Sequence, residues 1–301
     1  AASDVYKRQV YRNVLNEKFS LENNFVEALI EVDKNLWVGT NSGLYIYDRD
    51  TDRFSCFDKT TQYNVYISSE IKKIIKTENG LIWIATLGQG FFIYDPKTEV
   101  LTQNSVQTSF VWDLCQSADR KRVYISSLQE GLLCFDENGK FLRTYEISLD
   151  INASDSYKVN CIQNIDGDIW IGAGSNLLSR LDERTEAIDN YSGSAFNFGA
   201  VHCLLKYTDK ELLVGTDNGL YLFNQNTNTF QRTDNPTDPR SLSDQTINGM
   251  MWDAEGALWV LTNLGGVNYM SKQTKHFDYY SPAYLAGVSG AGKVVAPFLS
   301  L

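Results

Sequence analysis

The side chains that most often carry enzyme chemistry are few and widely spaced in this sequence. The two histidines, His202 and His276, have no neighbour at the spacing of metal ligands or of an acid/base pair. The five cysteines are odd in number and lack a C-x-x-C pair, so they indicate neither a zinc site nor a disulfide framework. We interpret them as small buried thiols. We therefore predict no metal site and no cofactor.

Carboxylates give an equally weak signal for catalysis. A glycoside hydrolase would need two carboxylates on one face, and a polysaccharide lyase a Tyr/His/Arg set. Glu27, Glu130 and Asp217 are the candidates in this chain, and no spacing groups them. We predict no enzymatic activity for this chain and keep a polysaccharide-cleaving enzyme as an alternative.

Composition describes a folded chain with an acidic surface. The chain has 301 residues, of which 43% are hydrophobic and 13% aromatic, enough for a large core. Lys+Arg 27 against Asp+Glu 37 gives a net charge of −10, which repels phosphate backbones, so we expect no nucleic-acid contact. No apolar run is long enough for a membrane span or a signal peptide.

One short phrase recurs six times along the chain. The copies are LWVGTNSGLYIYD, IWIATLGQGFFIYD, VYISSLQEGLLCFD, IWIGAGSNLLSRLD, LLVGTDNGLYLFN and LWVLTNLGGVNYM. Their second residues lie 41 to 46 residues apart and are Trp37, Trp83, Tyr124, Trp170, Leu213 and Trp259. This is about the period of a four-stranded propeller blade.

Each copy predicts four short antiparallel strands joined by tight turns. An apolar run and a polar turn precede the repeated phrase, a glycine or Asn176 marks a second turn, and a third hairpin follows. The alternation has period two, which excludes helical repeats. We predict an all-β protein, a β-propeller over residues 10–280 with six complete four-stranded blades. The blades lie near residues 26–57, 71–104, 111–146, 159–191, 201–232 and 247–280.

The recurring tryptophans are predicted to be structural. Trp37, Trp83, Trp170 and Trp259 occupy one position of the repeat, where a large side chain can fill the space between neighbouring blades. We expect all four to be buried there. Residues 1–9 are expected to be a disordered tail, and residues 281–301 a crossover and the first strand of a following propeller. The chain then starts and stops out of phase with its blades, which predicts a gap between the first blade and the last.

A ligand site, if present, is predicted at the mouth of the central channel. The second residue of each inner strand is polar or amphipathic and varies between the blades, while its neighbours repeat. The candidate ligand-binding residues are Lys72, Trp112, Asn160, His202 and Asn248, with Gln89, Gln129 and Asn218 from the second turns. Alternatively, these positions simply face water in the channel and tolerate any polar residue.

The copies LWVGTNSGLYIYDRDTDRF, GLIWIATLGQGFFIYDPKTEV and LWVLTNLGGVNYMSKQTKHFDYYSP resemble the two-component regulator propeller repeat. Such repeats are typical of the sensor region of hybrid two-component histidine kinases from Bacteroides-like bacteria. Ser126-Ser127 and Gly172-Ala173 depart from the Gly-Thr of the pattern, and Leu213 departs from its Trp.

The resemblance implies a fragment of the first of two seven-bladed propellers, so that six blades of seven are present. It implies a periplasmic region that binds an oligosaccharide, contacts a second propeller of the same chain and forms a homodimer. The kinase would lie elsewhere in the full-length protein, whose signalling would control polysaccharide-utilisation genes. A plain protein-interaction propeller is the other alternative.

Overall fold

A computed structural model describes residues 11, 13, 17, 19–104, 108–147, 158–174, 176–192, 197–238, 240–272 and 277–280. The expectations for residues 1–9 and 281–301 lie outside these residues, as does His276. All regular structure in the described residues is β-strand, and the strands form six four-stranded antiparallel sheets. The predicted all-β fold is confirmed: the chain is a propeller of six blades.

The four strands of each blade follow one another in the chain and in the sheet. The first three blades contain β1 (Val26–Val32), β2 (Asn35–Thr40), β3 (Gly43–Asp48), β4 (Arg53–Cys56), β5 (Glu70–Lys76), β6 (Ile82–Leu87), β7 (Phe91–Asp95), β8 (Val100–Asn104), β9 (Val111–Gln116), β10 (Arg122–Ser127), β11 (Gly131–Asp136) and β12 (Phe141–Tyr145). The last three contain β13 (Val159–Ile165), β14 (Asp168–Ala173), β15 (Leu177–Asp182), β16 (Ile188–Ser192), β17 (Val201–Thr208), β18 (Glu211–Thr216), β19 (Gly219–Asn224), β20 (Thr229–Arg232), β21 (Ile247–Trp252), β22 (Leu258–Thr262), β23 (Gly266–Met270) and β24 (Asp278–Tyr280).

The second turn of each blade is built from the end of the repeated phrase. In each blade a glycine at the second turn, or Asn176 in blade 4, has a positive φ, a conformation that glycine and asparagine tolerate. In four blades a buried threonine hydroxyl donates to the carbonyl of the turn glycine, at 2.7 to 3.0 Å. In these blades the threonine near the end of the second strand therefore closes the turn that follows it.

Neighbouring blades pack through the anchor positions of the repeat. The Trp37 ring lies 5.7 Å from Tyr94, and the Trp83 ring 6.5 Å from Phe135, each in the following blade. Trp170 makes the same contact with Phe223 at 5.8 Å. These three indoles are buried between blades.

Trp259 differs from the other anchor tryptophans. It is only half-buried, so the expectation that all four indoles are fully buried is wrong for this one. Its ring packs on Tyr269 of its own blade, and its indole N–H donates to Asp253. The physical reason is that blade 6 is the last blade of the described chain, and no later blade covers this face within the described residues.

The cysteines also differ partly from the expectation of buried thiols. Cys115, Cys134 and Cys161 are buried, whereas Cys203 is half-buried and Cys56 is exposed. Cys56 ends the outermost strand of blade 1, where the sheet edge meets solvent. Burial raises the pKa of the Cys203 thiol to about 12, so this side chain stays a neutral thiol at physiological pH.

The six inner strands line the channel in chain order. Strand β1 packs beside β5, β5 beside β9, β9 beside β13, β13 beside β17 and β17 beside β21. In the described part of the chain, β21 does not pack on β1 in the same way. Tyr11, which precedes blade 1 in the chain, packs on that blade, where its ring contacts Tyr47 and Phe54.

Candidate functional site

Every inner strand carries a β-bulge at the same place. The pairing register with the second strand skips one residue, which is the second residue of the inner strand in five blades and the third in blade 2. The skipped residues are Glu27, Lys72, Trp112, Asn160, His202 and Asn248. The positions that vary between the sequence repeats are therefore the bulged positions of the fold.

A bulge explains why these residues can vary. The extra residue is left out of the ladder and its side chain is re-aimed, while the residues on either side keep their pairing. The residue before the bulge, such as Ile71 or Val201, is fully buried in blades 2 to 6, whereas Val26 of blade 1 is half-buried. All six bulged side chains are half-buried, so each contacts the scaffold and also reaches solvent.

The bulged residues of blades 1 to 3 contact one another. The Lys72 ammonium lies 2.8 Å from the Glu27 carboxylate and 3.1 Å from Glu70. It also sits over the Trp112 indole, 4.5 Å from the ring centroid. Trp112 therefore has a packing partner, because a cation covers one face of its ring.

A second charged group lies one residue further along the same strands. Asp113 follows Trp112, and its carboxylate accepts hydrogen bonds from the backbone N–H groups of Leu114 and Ile162, each at 2.9 Å. The Lys73 ammonium is 3.7 Å away. Sequence analysis did not single out Asp113, although a carboxylate inside the apolar run VWDLC is a signal that could have found it.

The bulged residues of blades 4 to 6 are two asparagines and a histidine. The Asn160 amide donates to the Val201 carbonyl at 3.3 Å, which ties blade 4 to blade 5. His202 Nε2 lies 2.6 Å from Asp217 Oδ1, and Asp217 Oδ2 accepts from the Ala200 N–H at 2.8 Å. Although burial opposes it, these hydrogen bonds lower the pKa of the Asp217 carboxyl. Asn248 occupies the equivalent position in blade 6.

Two of the three residues proposed from the second turns are occupied within the protein. The Gln89 amide donates to the Tyr66 carbonyl at 2.9 Å and accepts from the N–H groups of Ser68 and Ser69. The Asn218 amide donates to the Asn197 carbonyl at 2.9 Å. Both side chains therefore fasten a crossover to a turn. Gln129 is exposed at the second turn of blade 3.

A separate open cleft lies at the outer rim, between the edge strand of blade 4 and the third hairpin of blade 5. It is lined by Asp189, Asn190, Tyr191, Ser192 and Asn228. The Tyr191 ring packs on Trp170 and Phe223, so it is part of the blade contact. The channel mouth, in contrast, gathers side chains from all six blades.

Two further findings concern the described residues. They contain no group of three or more histidine, cysteine or acidic side chains arranged to hold a metal ion. They also contain no helix that is long and apolar enough to cross a membrane.

The chain is similar to parts of larger signalling proteins. It is 22% identical over 296 residues to Histidine kinase P4 from Formosa agariphila, a match that covers 90% of this chain and 17% of that protein. No protein-family model matches the chain.

Solved structures with this fold include two extracellular domains from B. thetaiotaomicron. BT3049, named as a hybrid two component system, gives a TM-score of 0.70 at 23% identity, over 87% of this chain and 35% of that one. BT4673, named as a one component system, gives 0.68 at 20% identity, over 84% and 34%. The expected resemblance to such systems is confirmed, and at these identities the two structures establish the fold. The chain spans about a third of each domain.

Proposed function

We propose that this chain is the ligand-sensing propeller of a hybrid two-component receptor, located outside the cytoplasm and specifically in the periplasm. It recognises an oligosaccharide at the channel mouth, and the rest of the receptor regulates polysaccharide-utilisation genes. The sensing role is supported by its likeness to extracellular domains of such systems. In the intact receptor the chain contacts a second propeller and a second protomer.

One observation carries the choice of site. Six bulges re-aim six side chains of five residue types toward one channel mouth, and these include amides, an imidazole, an ammonium group, a carboxylate and an indole. Such groups match the hydroxyls and C–H faces of a sugar. A scaffold that needed only a filled channel would not require five residue types at one position of six blades.

The same geometry argues against glycoside hydrolysis. A general acid for that reaction needs a carboxyl whose pKa is raised. The pKa of Asp217 is instead lowered by its hydrogen bonds to His202 and Ala200, against the effect of burial. Glu27 is paired with Lys72, and Glu130 is exposed on the second turn of another blade. We therefore assign the chain a binding role without catalysis.

The test is calorimetry on the intact sensor with Trp112→Ala and Asn160→Ala. Oligosaccharides that raise the thermal midpoint of the wild type without being cleaved are chosen first, from xylohexaose, mannohexaose, laminarihexaose and hexagalacturonate. We expect each variant to bind at least about tenfold more weakly, the loss of roughly 1.4 kcal/mol of contact energy. Unchanged affinity in both variants would place the site elsewhere, and cleavage of the ligand would identify an enzyme.

A further inference from the structure

Several exposed aromatic residues of the propeller lie in the crossovers, on one face, whereas others, such as Tyr11 and Tyr207, lie elsewhere. We call this the crossover face, because it carries the crossovers between blades and the second turns, Gly88–Gly90 among them. Tyr63 and Tyr66, in the crossover from blade 1 to blade 2, are 80% and 58% exposed. Phe110, just before the inner strand of blade 3, is 39% exposed. Large aromatic side chains left in water on one face of a folded protein are typical of a binding surface.

One turn holds two of these aromatic residues in place. In the second turn of blade 2, the Gln89 amide donates to the carbonyl of Tyr66. The N–H groups of Gly88 and Gly90 both donate to Ser109, at 2.7 and 3.0 Å, and Phe110 forms a β-bridge with Leu87. The backbones that carry Tyr66 and Phe110 are therefore fixed on the same turn, so binding a ligand on these rings would require little ordering of the backbone.

The charges beside this turn are already compensated. Lys72 is held by Glu27 and Glu70, and its side chain is only 14% exposed. Lys73 faces Asp113. Together with Asp217, these groups comprise four carboxylates and two ammonium groups, so the carboxylates exceed the ammonium groups by two. Among these groups, a sulfate or uronate would meet only ammonium groups that already face carboxylates, and the excess of carboxylates would oppose its binding.

From these contacts we infer that the ligand is a neutral oligosaccharide whose rings stack on Tyr66 and Phe110, beside the mouth. The inference rests on the proposed function and adds to it a subsite and a ligand class. Sugar C–H faces pack on the two exposed rings, and sugar hydroxyls donate to the carboxylates and accept from the amides of the mouth. Trp112 contributes the ring face that Lys72 does not cover.

The experiment compares Tyr66→Ala and Phe110→Ala with Tyr207→Ala in the same sensor. Tyr207 is a matched control because it is 46% exposed but lies at the opposite end of an inner strand, in blade 5. We expect affinity for the best neutral hexaose to fall at least about tenfold in each test variant and to change less than about twofold in the control. All variants are first checked for an unchanged circular dichroism spectrum.

Two further measurements separate this inference from the proposed function. Wild-type affinity for the neutral ligand should change little between roughly 50 mM and 500 mM salt, because no ion pair forms on binding. If a sugar binds but Tyr66→Ala and Phe110→Ala bind it normally, or if hexagalacturonate binds more tightly than every neutral hexaose, this inference is wrong and the proposed function stands. If no oligosaccharide binds the wild type, the proposed function itself is wrong.

Discussion

Trp83 in blade 2 and Trp259 in blade 6 occupy the same position of the repeat in different surroundings. Trp83 is completely buried, stacks on Phe91 at 5.2 Å and meets Phe135 of the next blade. Trp259 is half-buried, and its ring packs on Tyr269 of its own blade. The indole N–H of Trp83 has no hydrogen-bond partner among the described residues, whereas that of Trp259 donates to Asp253 at 2.8 Å.

This difference shows that the repeat determines the structure of each blade, while the neighbouring blade determines how deeply the anchor tryptophan is buried. A residue conserved between copies of a repeat has one role within its own sheet and a second role only where another sheet covers it. The energetic value of the anchor tryptophan should therefore depend on its place in the ring.

The largest expected effect comes from truncating the two tryptophans. Trp83→Ala should lower the free energy of unfolding by about 3–5 kcal/mol, the usual cost of deleting a buried large aromatic side chain. Trp259→Ala should cost roughly 1–2 kcal/mol, because its ring is only partly buried and packs on its own blade. Urea unfolding followed by circular dichroism measures both values.

A conservative change serves as the control for this comparison. Trp83→Phe keeps an aromatic ring and removes an indole N–H that makes no hydrogen bond in the described structure, so it should cost clearly less than Trp83→Ala. Equal losses for Trp83→Ala and Trp259→Ala would contradict the dependence on the neighbouring blade.

A smaller effect is expected at Gly172, which holds the position of the pattern's glycine in blade 4. A Cβ on Gly172 would lie 2.5 Å from both Cys161 Sγ and Val201 Cγ1, and Val201 belongs to the inner strand of the next blade. Gly172→Ala should therefore destabilise the protein by about 1–3 kcal/mol through overpacking.

Ser126 is the matched control, since it holds the same position in blade 3 with a Cβ already present. Its buried hydroxyl has no hydrogen-bond partner among the described residues, so Ser126→Ala should leave stability unchanged or raise it slightly. A stable Gly172→Ala variant would show that the blades can separate at this contact.

The blade could be predicted from the sequence because each strand and turn is determined by residues of its own repeat. The glycines of the second turns and Asn176 have the positive φ expected of them, and the alternating apolar positions form the blade contacts. The half-exposure of Trp259 and the exposure of Cys56 could not be predicted, because both depend on which sheet lies next to the residue and not on the residue's own strand.

The candidate site was predictable in position but not in its contacts. Variation between repeats located the six bulged residues, since a position free of the ladder is free to differ. The ion pairs of Lys72 and the occupied amide of Gln89 depend on side-chain conformations across blades, which a repeat pattern does not encode. The exposed rings of Tyr66 and Phe110 lie in crossovers, where the repeat pattern is absent.

The smallest predicted effect compares the third hairpins of different blades. In blades 1 to 4 an aspartate opens this hairpin, and its carboxylate accepts a hydrogen bond from a backbone N–H two residues on, as Asp95 does from Lys97 at 2.9 Å. These hydrogen bonds hold the pKa of Asp48, Asp95 and Asp182 below the ordinary value of 3.8. In blade 5 the uncharged Asn224 accepts the equivalent bond at 3.0 Å.

A lowered carboxyl pKa in the folded state means that the folded protein gains stability from the ionised form. That contribution is complete above the ordinary pKa and is lost as the pH falls through the lowered one. The thermal midpoint of the wild type should therefore drop on acidification from roughly pH 5 to pH 3. A variant with Asp48→Asn, Asp95→Asn and Asp182→Asn should show a shallower drop, because asparagine keeps the turn without titrating, as Asn224 does. An equally steep drop in this variant would assign the acid sensitivity to other carboxylates. The next variant to measure would then be Asp217→Asn, because the pKa of the Asp217 carboxyl beside His202 is also lowered.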